Sequence, residues 1–381
     1  MQGGDVAARR VLAMACGVTF VEAILFTTLA PLLPEFTERF SISKAGAGLL
    51  SAAYPLGALA CAIPSIALAR RVGLRRTVVV SLLVLAVASV AFALATSAWM
   101  VFGARFLQGV GSAIAYTGAL SWLTSVTSDG RRAEAIGVAF SAAFAGALLG
   151  PLLGAMAVAI GLEPVFLATS AFAAMLALVT LALPPAHASR AVASPPLARL
   201  GGDRAVVISV WLIALAGVLL GVFGVLIPLR LDEIGWSAIA IGLLFAVASV
   251  IVASASPMVG RLADRAGREI PLRAGLALAA FAATALAFDS AAWIYASLAV
   301  VAAVAAGILW APAMALLADA VERRGYDHAA GFGLMNAAWS PGFAVGAALG
   351  AALAASFGDA ATFLLLAAVC VITAILLPRS A

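Results

Sequence analysis

The chain has 381 residues, of which 65% are hydrophobic and only 10% are charged, and its formal net charge is +5. A soluble domain holds about 45–50% apolar and about 25% charged residues, so this composition excludes an ordinary soluble protein and is typical of a polytopic membrane protein. The positive charge does not indicate a nucleic-acid partner, because the arginines are spread over short connections between apolar stretches.

Twelve apolar stretches follow one another along the chain, each near the length of about 20 residues that crosses the hydrocarbon layer of a bilayer. The predicted fold class is therefore an all-α membrane protein with twelve transmembrane helices. The predicted spans are 11–34, 46–69, 77–97, 99–124, 133–160, 162–183, 205–229, 236–259, 273–289, 291–318, 329–356 and 360–378.

The basic residues are distributed unequally between the two sides of these spans. If the N-terminus is cytoplasmic, the outer loops hold only Arg39, Lys44 and Arg230, Arg105 lies within a span, and the inner segments hold the other eighteen of the 22. This asymmetry follows the positive-inside rule. It predicts a multi-pass protein of the cell (inner) membrane with both termini in the cytoplasm.

The only extended polar connection runs from Pro184 to Arg204 and is rich in Pro, Ala and Arg, a composition that cannot bury a core. It divides the chain into a predicted N-terminal six-helix bundle at 1–184, a cytoplasmic linker at 185–204 and a C-terminal six-helix bundle at 205–381.

The two halves repeat at an offset of 194 residues, as in Pro34 and Pro228, Gly48 and Gly242, and Gly73 and Gly267. Halves of six spans related by an internal repeat are a transporter architecture, in which the substrate site lies between the halves near mid-membrane.

Two charged side chains lie well inside the predicted spans, Glu22 in the first and Arg105 in the fourth. An ionised group in hydrocarbon is costly, so each is a candidate functional residue. Burial disfavours an ionised carboxylate and a nearby arginine favours it, and this opposition suits a group that exchanges protons. A structural ion pair between the two is the alternative.

The fourth span carries the sequence Arg105-Phe-Leu-Gln-Gly-Val-Gly. Gln108 lies one turn from Arg105 on the same helix face, and Gly109 and Gly111 allow a neighbouring helix to approach. An arginine that extends to the membrane interface is the alternative interpretation.

In the fifth span, Gly146, Gly150 and Gly154 lie on one helix face, and Pro151 bends the helix. Small-residue packing common to membrane helices is the alternative here.

A third pattern, Gly260-Arg-Leu-Ala-Asp-Arg-Ala-Gly-Arg268, follows the eighth span. Gly260 and Gly267 are expected to allow close backbone approach, and Asp264 to face arginines or a helix N-terminus. Arg265 and Arg268 complete the pattern, whose alternative interpretation is a generic basic loop.

These patterns resemble signatures of the major facilitator superfamily, and the fifth-span pattern is similar to one found in its drug–proton antiporter branch. The resemblance implies two pseudo-symmetric six-helix bundles that alternate access to a central site. It also implies proton-coupled efflux of small lipophilic or cationic compounds. Glu22 would bind the proton and a cationic substrate, and protonation would release Arg105.

The first-half loop departs from the family pattern, because Arg70 stands where the family has an aspartate, ahead of Gly73. In the family this aspartate is thought to hold the cytoplasmic ends of the halves together. The departure predicts a charge swap in which Arg70 pairs with Asp327. By symmetry, Asp264 would approach Arg131 and Arg132.

Several aromatic and polar side chains within the spans are candidates to line a substrate pocket: Tyr54, Gln108, Tyr116, Trp310, Asn336 and Trp339. An apolar, aromatic pocket with few polar groups suits lipophilic or cationic compounds better than sugars. For each residue taken alone, ordinary packing is the alternative.

Two other functions stay open. One keeps the fold and makes the chain a proton-coupled importer or exchanger of a small metabolite or sugar; the other is a transport-silent membrane receptor or scaffold.

An enzyme, a metal site and a cofactor are not expected, because the cysteines and the two histidines show no ligand spacing. The expected partners are protons, a small-molecule substrate and the bilayer, and the expected state is a monomer. Asp319 and Glu134, near helix ends, are expected to be solvated.

Overall fold

A computed structural model describes residues 2–128, 131–183, 202–288, 291–324 and 328–377, without the side chains of 2–7, 133, 264, 266 and 328–332. These residues form thirteen α-helices and one short 3₁₀-helix, with no strand. The α-helices are α1 Gln2–Thr27, α2 Leu33–Arg39, α3 Lys44–Val72, α4 Leu74–Ala93, α5 Ala98–Val126, α6 Arg132–Ile160, α7 Leu162–Leu181, α8 Arg204–Glu233, α9 Ala238–Ala266, α10 Glu269–Leu286, α11 Ala292–Arg323, α12 His328–Phe357 and α13 Asp359–Leu376.

Twelve of these helices are long, and each of them overlaps one predicted span, which confirms the all-helical fold class. Within the described residues, eleven segments are long and apolar enough to cross a membrane, and the first of them runs from Ala8 to Arg39. The remaining long helix is α5, which has 29 residues. This helix is long enough to cross a membrane but is less apolar than the others, because it carries Arg105, Gln108 and several glycines and serines.

The first span ends differently from the sequence prediction, because α1 stops at Thr27 and not near residue 34. A 3₁₀-helix at Ala30–Leu32 follows, and α2 begins at once after it. Pro31 and Pro34 lack the N–H groups that would continue the hydrogen-bond ladder. The break leaves carbonyl groups at the end of α1 without helical partners.

The chain divides into two compact units, one formed by Met1–Glu35 and Ala53–Ala191 and the other by Phe36–Ala52 and Val192–Ala381. The outer end of α3 therefore groups with the second unit, although the sequence assigns it to the first half. The predicted linker falls almost entirely on residues 184–201, outside the described residues.

The internal repeat is visible in the backbone of each unit. Gly73, between α3 and α4, has φ 84° and ψ 157°. Gly267, between α9 and α10, has φ 81° and ψ 156°. Residues with a side chain rarely adopt this positive φ, which explains why both turns carry glycine. Arg75 donates to the carbonyl of Leu183 at 2.8 Å, and Arg273 donates to that of Leu377 at 2.8 Å. The two acceptors are again 194 residues apart, whereas the two donors are 198 apart.

In the first unit, α6 packs against α1 through the three predicted glycines. A Cβ atom at Gly146 would overlap the carbonyl of Phe20, and one at Gly154 would overlap the carbonyl of Thr28. The two backbones are thus in direct contact, and Thr19 adds a 2.9 Å bond to the carbonyl of Ala139. Because α1 carries Glu22, this contact fixes the position of the candidate site.

The second unit uses the same device between α8 and α12. A Cβ atom at Gly342 would overlap the carbonyl of Ala214, and one at Gly346 would overlap the carbonyl of Val218. On the facing helix, Gly221 lies equally close to the carbonyl of Phe343. Each unit therefore contains a glycine-mediated pair of helices, α1 with α6 in the first and α8 with α12 in the second.

A charged cluster in the second unit joins α3, α8 and α13. Lys44, the only lysine of the chain, lies 2.8 Å from Asp359 and 3.6 Å from Glu233. Arg230 lies 3.1 Å from the same Glu233. On the adjoining part of α3, a Cβ atom at Gly48 would overlap the backbone of Ala347 on α12. Charge and close packing thus hold this end of α3 in the second unit.

We expect Gly146→Ala to lower thermal stability, because the added methyl group would push α1 and α6 apart. Overpacking of this kind typically costs about 1–3 kcal/mol. The melting temperature of the purified protein in detergent measures the effect. Gly137→Ala on the same helix is the matched control, since no described atom lies within 4 Å of a Cβ there. Equal melting temperatures for both variants would contradict the assigned contact.

Candidate functional site

The carboxylate of Glu22 lies inside the first unit, where the side chain is 6% exposed. Its Oε1 accepts a hydrogen bond from the hydroxyl of Tyr54 at 2.8 Å and another from Ser112 at 2.7 Å. The hydroxyl of Tyr116 interacts with the same carboxylate. The buried acid is thus hydrogen-bonded by polar groups from α3 and α5, as buried polar groups in proteins generally are.

Tyr54 connects the acid to the base. Its hydroxyl contacts Glu22, and its ring lies beneath the guanidinium of Arg105, 4.8 Å from ring centroid to Cζ. Phe26 packs beside it with a ring separation of 5.2 Å. This cation–π contact is desolvated, a setting in which such contacts reach about 2 kcal/mol.

Arg105 binds the broken end of α1. Its Nη1 donates to the carbonyl of Leu25 at 2.7 Å and to Oε1 of Gln108 at 2.9 Å, and its Nη2 donates to the carbonyl of Phe26 at 3.2 Å. Helix C-termini carry a partial negative charge, which favours a cation at this position. Arg105 is 2% exposed, so it does not extend to the membrane interface as the alternative interpretation required.

The structural ion pair between Glu22 and Arg105, which was the alternative interpretation, is not present among the described residues. The two groups still act on each other through space. Tyr54 and the carbonyl groups at the end of α1 lie between them in the network of contacts. Protonation of Glu22 would therefore not break an ion pair, and its effect on Arg105 would pass through Tyr54.

The glycines of the fourth-span pattern explain how α5 reaches its neighbours. A Cβ atom at Gly109 would overlap the carbonyl of Tyr54, and one at Gly57 would overlap the carbonyl of Phe106. These reciprocal contacts bring α3 and α5 together. Gly111 lies against Leu85 on α4. The pattern therefore places Arg105 toward α1, with Gln108 bonded to it, and two glycines toward α3 and α4.

Ser112 was missed by the sequence prediction, although a signal for it exists. It lies four residues after Gln108 and seven after Arg105, so these three side chains and Tyr116 share one face of α5. A serine alone is too common in membrane helices to attract attention. Its spacing from two polar neighbours would have identified it.

Two buried donors of this site have no hydrogen-bond acceptor among the described atoms, Nε of Arg105 and Nε2 of Gln108. Leaving such donors unpaired costs free energy. They mark the part of the first unit where an additional acceptor would be favoured. Within the described residues, no group of three or more His, Cys, Asp or Glu side chains could hold a metal ion.

The other predicted pocket residues lie in the second unit. Trp310 on α11 and Asn336 on α12 are half-buried. Trp339 packs against Phe343 with a ring separation of 5.5 Å. Within the first unit, the structure brings Tyr54, Gln108 and Tyr116 together with Glu22 and Arg105.

The predicted gating residues are only partly described. Arg70 is exposed and has no acidic partner among the described residues, while Asp327 and the side chain of Asp264 lie outside them. The pairings of Arg70 with Asp327 and of Asp264 with Arg131 and Arg132 stay predictions. Gly260 and Gly267 do not provide the expected close approach, since no described atom lies within 4 Å of a Cβ at either.

Within the second-half loop, the structure identifies a contact that the sequence did not. Arg268 lies 2.6 Å from Asp319 and donates to the carbonyl of Ala315 at 3.0 Å. Asp319 therefore has a cationic partner in addition to solvent. Arg265 is exposed. The loop is attached to α11 by its last arginine.

Comparison with known proteins agrees with this architecture. The family model of the Major Facilitator Superfamily matches residues 15–229 and 209–380. No curated protein matches the chain significantly. Among solved structures, a bacterial homolog of the human lysosomal transporter Spinster, inward-facing and unoccupied, is 17% identical, with a TM-score of 0.76 over 97% of this chain and 96% of that one.

Two further solved structures are similar in fold. The nucleoside transporter NupG is 12% identical, with a TM-score of 0.73 over 96% of this chain and 98% of that one. A POT family transporter in complex with 5-aminolevulinic acid is also 12% identical, with a TM-score of 0.77 over 96% of this chain and 94% of that one. At these identities the similarity establishes the fold alone.

We expect Tyr54→Phe to destabilise the protein, because it leaves the buried carboxylate of Glu22 with one donor fewer while it keeps the ring beneath Arg105. The loss of a hydrogen bond to a charged group is about 1.5–3 kcal/mol. Melting temperatures in detergent measure it, and the loss should be smaller in a Glu22→Gln background, where the acceptor is neutral.

Tyr295→Phe is the matched control for this substitution. Tyr295 is 4% exposed and its hydroxyl has no partner among the described atoms. Its replacement should leave the melting temperature unchanged or raise it. If both substitutions lower the melting temperature equally, the bond between Tyr54 and Glu22 is not what stabilises the site.

Proposed function

Because the chain belongs to the Major Facilitator Superfamily, and is thus a multi-pass membrane protein of a transporter fold, we propose that it exports small lipophilic or cationic compounds in exchange for protons. The two units would alternate access to the substrate from either side of the membrane. We further propose that it acts as a monomer in the inner membrane, with both termini in the cytoplasm.

The observation that carries the proposal is the environment of Glu22. It is a buried carboxylate within a membrane span, and three hydroxyl groups contact it. A hydroxyl can donate to the ionised carboxylate and can reorient to accept from the protonated one, so both forms have partners. Such a site suits a group that gains and loses a proton in each cycle.

The same site offers an acceptor to a cationic substrate. Phe26 lies beside Tyr54, and Tyr116 stacks against Phe140 with a ring separation of 6.2 Å. Aromatic faces next to one carboxylate attract a lipophilic cation through charge and cation–π contact. A proton and a cation would then compete for one acid, which couples their movements in opposite directions.

The route from the acid to the helices runs through α1 and α3. A change of charge at Glu22 alters the bond to Tyr54, whose ring supports Arg105. Arg105 in turn holds the end of α1 at its break. We propose that this connection converts protonation into a change in the angle between α1 and the segment that follows it.

We expect Glu22→Gln to abolish proton-coupled transport while it preserves the fold, because the amide has a similar shape and cannot ionise. Proteoliposomes with an imposed pH gradient and ethidium or tetraphenylphosphonium as the probe measure counter-transport of protons and cations. The direction of probe movement, checked with the gradient in both orientations, distinguishes the two functions. A proton-coupled exporter moves the probe against the flow of protons, whereas a proton-coupled importer accumulates the probe together with protons.

Glu134→Gln is the matched control, because the side chain of Glu134 is 65% exposed near the start of α6. It should transport like the wild type. Gradient-driven movement that persists unchanged in Glu22→Gln would remove Glu22 from the coupling role, whereas the transporter fold would stand.

Alternating access also predicts a role for the cluster of Lys44, Asp359 and Glu233. It would hold the outer end of α3 in the second unit when the outer side is closed. We expect Lys44→Met to raise the labelling rate of a cysteine introduced as Ser51→Cys, a position that is 5% exposed. A pair of this kind contributes up to about 1 kcal/mol, which corresponds to about fivefold in rate.

The measurement uses a membrane-impermeant maleimide in a background without Cys16, Cys61 and Cys370. Lys44→Arg, which keeps the charge, is the control and should label slowly. A high salt concentration should narrow the difference between the two variants. Identical rates in both would show that the cluster does not close this end.

A further inference from the structure

An open cavity of about 420 Å³ lies along α3 in the first unit. Its lining consists of Ile63, Ile66, Ala67, Arg70 and Arg71. These positions follow the spacing i, i+3, i+4, i+7 and i+8, so they form one stripe along the helix. The stripe is apolar at one end and doubly cationic at the other.

Among the residues that the structure describes, no acidic side chain neutralises the cationic end of this stripe. Both arginines are exposed, and neither has an acidic partner among the described residues. No aspartate or glutamate occurs between Glu38 and Asp129 in the sequence. Of the nearby arginines, Arg75 is occupied by the carbonyls of Leu181 and Leu183. Within the described part of the chain, no internal anion therefore competes with an external one for Arg70 and Arg71.

The apolar end of the stripe is also open. Ile63 is 79% exposed and Ile66 is 46% exposed. Ile63 precedes Arg70 by seven residues, which is about 10 Å along a helix. A ligand that fits must therefore carry an anionic group and, about 10 Å away, an apolar chain.

We infer that this stripe binds an anionic phospholipid of the surrounding bilayer. The two guanidinium groups bind the phosphodiester, for which arginine forks have the right geometry. The first part of an acyl chain lies against Ile63 and Ile66. Arginines at this end of α3 lie on the side that the charge distribution assigns to the cytoplasm, and anionic lipids are enriched in the cytoplasmic leaflet.

A simpler explanation of the two arginines is their position at the C-terminal end of α3, where the helix dipole and the positive-inside rule favour cations. The positive-inside part of that explanation applies equally to Arg9 and Arg10, an exposed pair on the same predicted side near the N-terminal end of α1. It does not require a shaped cavity or the exposed isoleucines. The two explanations therefore differ in which arginine pair the lipid needs.

The test titrates fluorescently labelled phosphatidylglycerol into the detergent-solubilised full chain, with phosphatidylcholine of the same acyl chains and inorganic phosphate as competitors. Unlabelled phosphatidylglycerol should displace the probe, and the two other compounds should not. Arg70→Gln with Arg71→Gln should weaken binding about 30-fold, the product of about fivefold for each arginine. Arg9→Gln with Arg10→Gln should leave binding unchanged.

A second variant, Ile63→Ser, separates the apolar contact from the charges. It should weaken the binding of phosphatidylglycerol, while inorganic phosphate should still fail to displace the probe. Melting temperatures in phosphatidylcholine establish that each variant is folded. Equal losses in the two arginine pairs would reduce the effect to general surface charge and overturn the inference. Displacement by phosphatidylcholine or by inorganic phosphate alone would overturn it as well.

Discussion

The first unit depends on keeping the carboxylate of Glu22 hydrogen-bonded where the side chain is almost completely buried. A buried acid without partners costs several kcal/mol, so its donors must come from neighbouring helices at hydrogen-bond distance. Tyr54 on α3 and Ser112 on α5 provide them. Helices can approach this closely only where side chains are absent from the contact. The glycines of α5 and α6 are therefore part of the same requirement as the acid.

Arg105 shows how structure and coupling are combined in one residue. Its hydrogen bonds stabilise the end of α1 where the chain breaks before Pro31. A purely structural role would account for all of them. The ring of Tyr54 gives Arg105 a second contact, on the residue that holds the acid. Any rearrangement at the acid is thereby felt at the helix break, which is the point where α1 is easiest to bend.

Much of this organisation could be predicted from the sequence. Apolar length located the twelve spans, although α1 ends seven residues before the predicted end of the first, and the rarity of charge within the spans identified Glu22 and Arg105. The pairing partners could not be predicted in the same way. Arg105 binds carbonyl groups that lack helical partners only because α1 ends early. Since every residue has a carbonyl group, no side chain in the sequence identifies these acceptors. Lys44 and Asp319 find partners on helices far along the chain, which residue type alone does not specify.

Each unit repeats one backbone plan, and this has an electrical consequence. At the offset of 194 residues, Glu22 corresponds to Ala216 and Arg105 to Ala299, and both alanines are buried. The second copy therefore keeps the glycine-mediated helix pair without its ionisable groups. Among the described side chains, only the first copy responds to the transmembrane voltage from within a span, where one charge crossing 100 mV is worth about 2.3 kcal/mol. The two copies thus share one backbone plan, but among the described side chains the electric field across the membrane acts within the spans of the first copy alone.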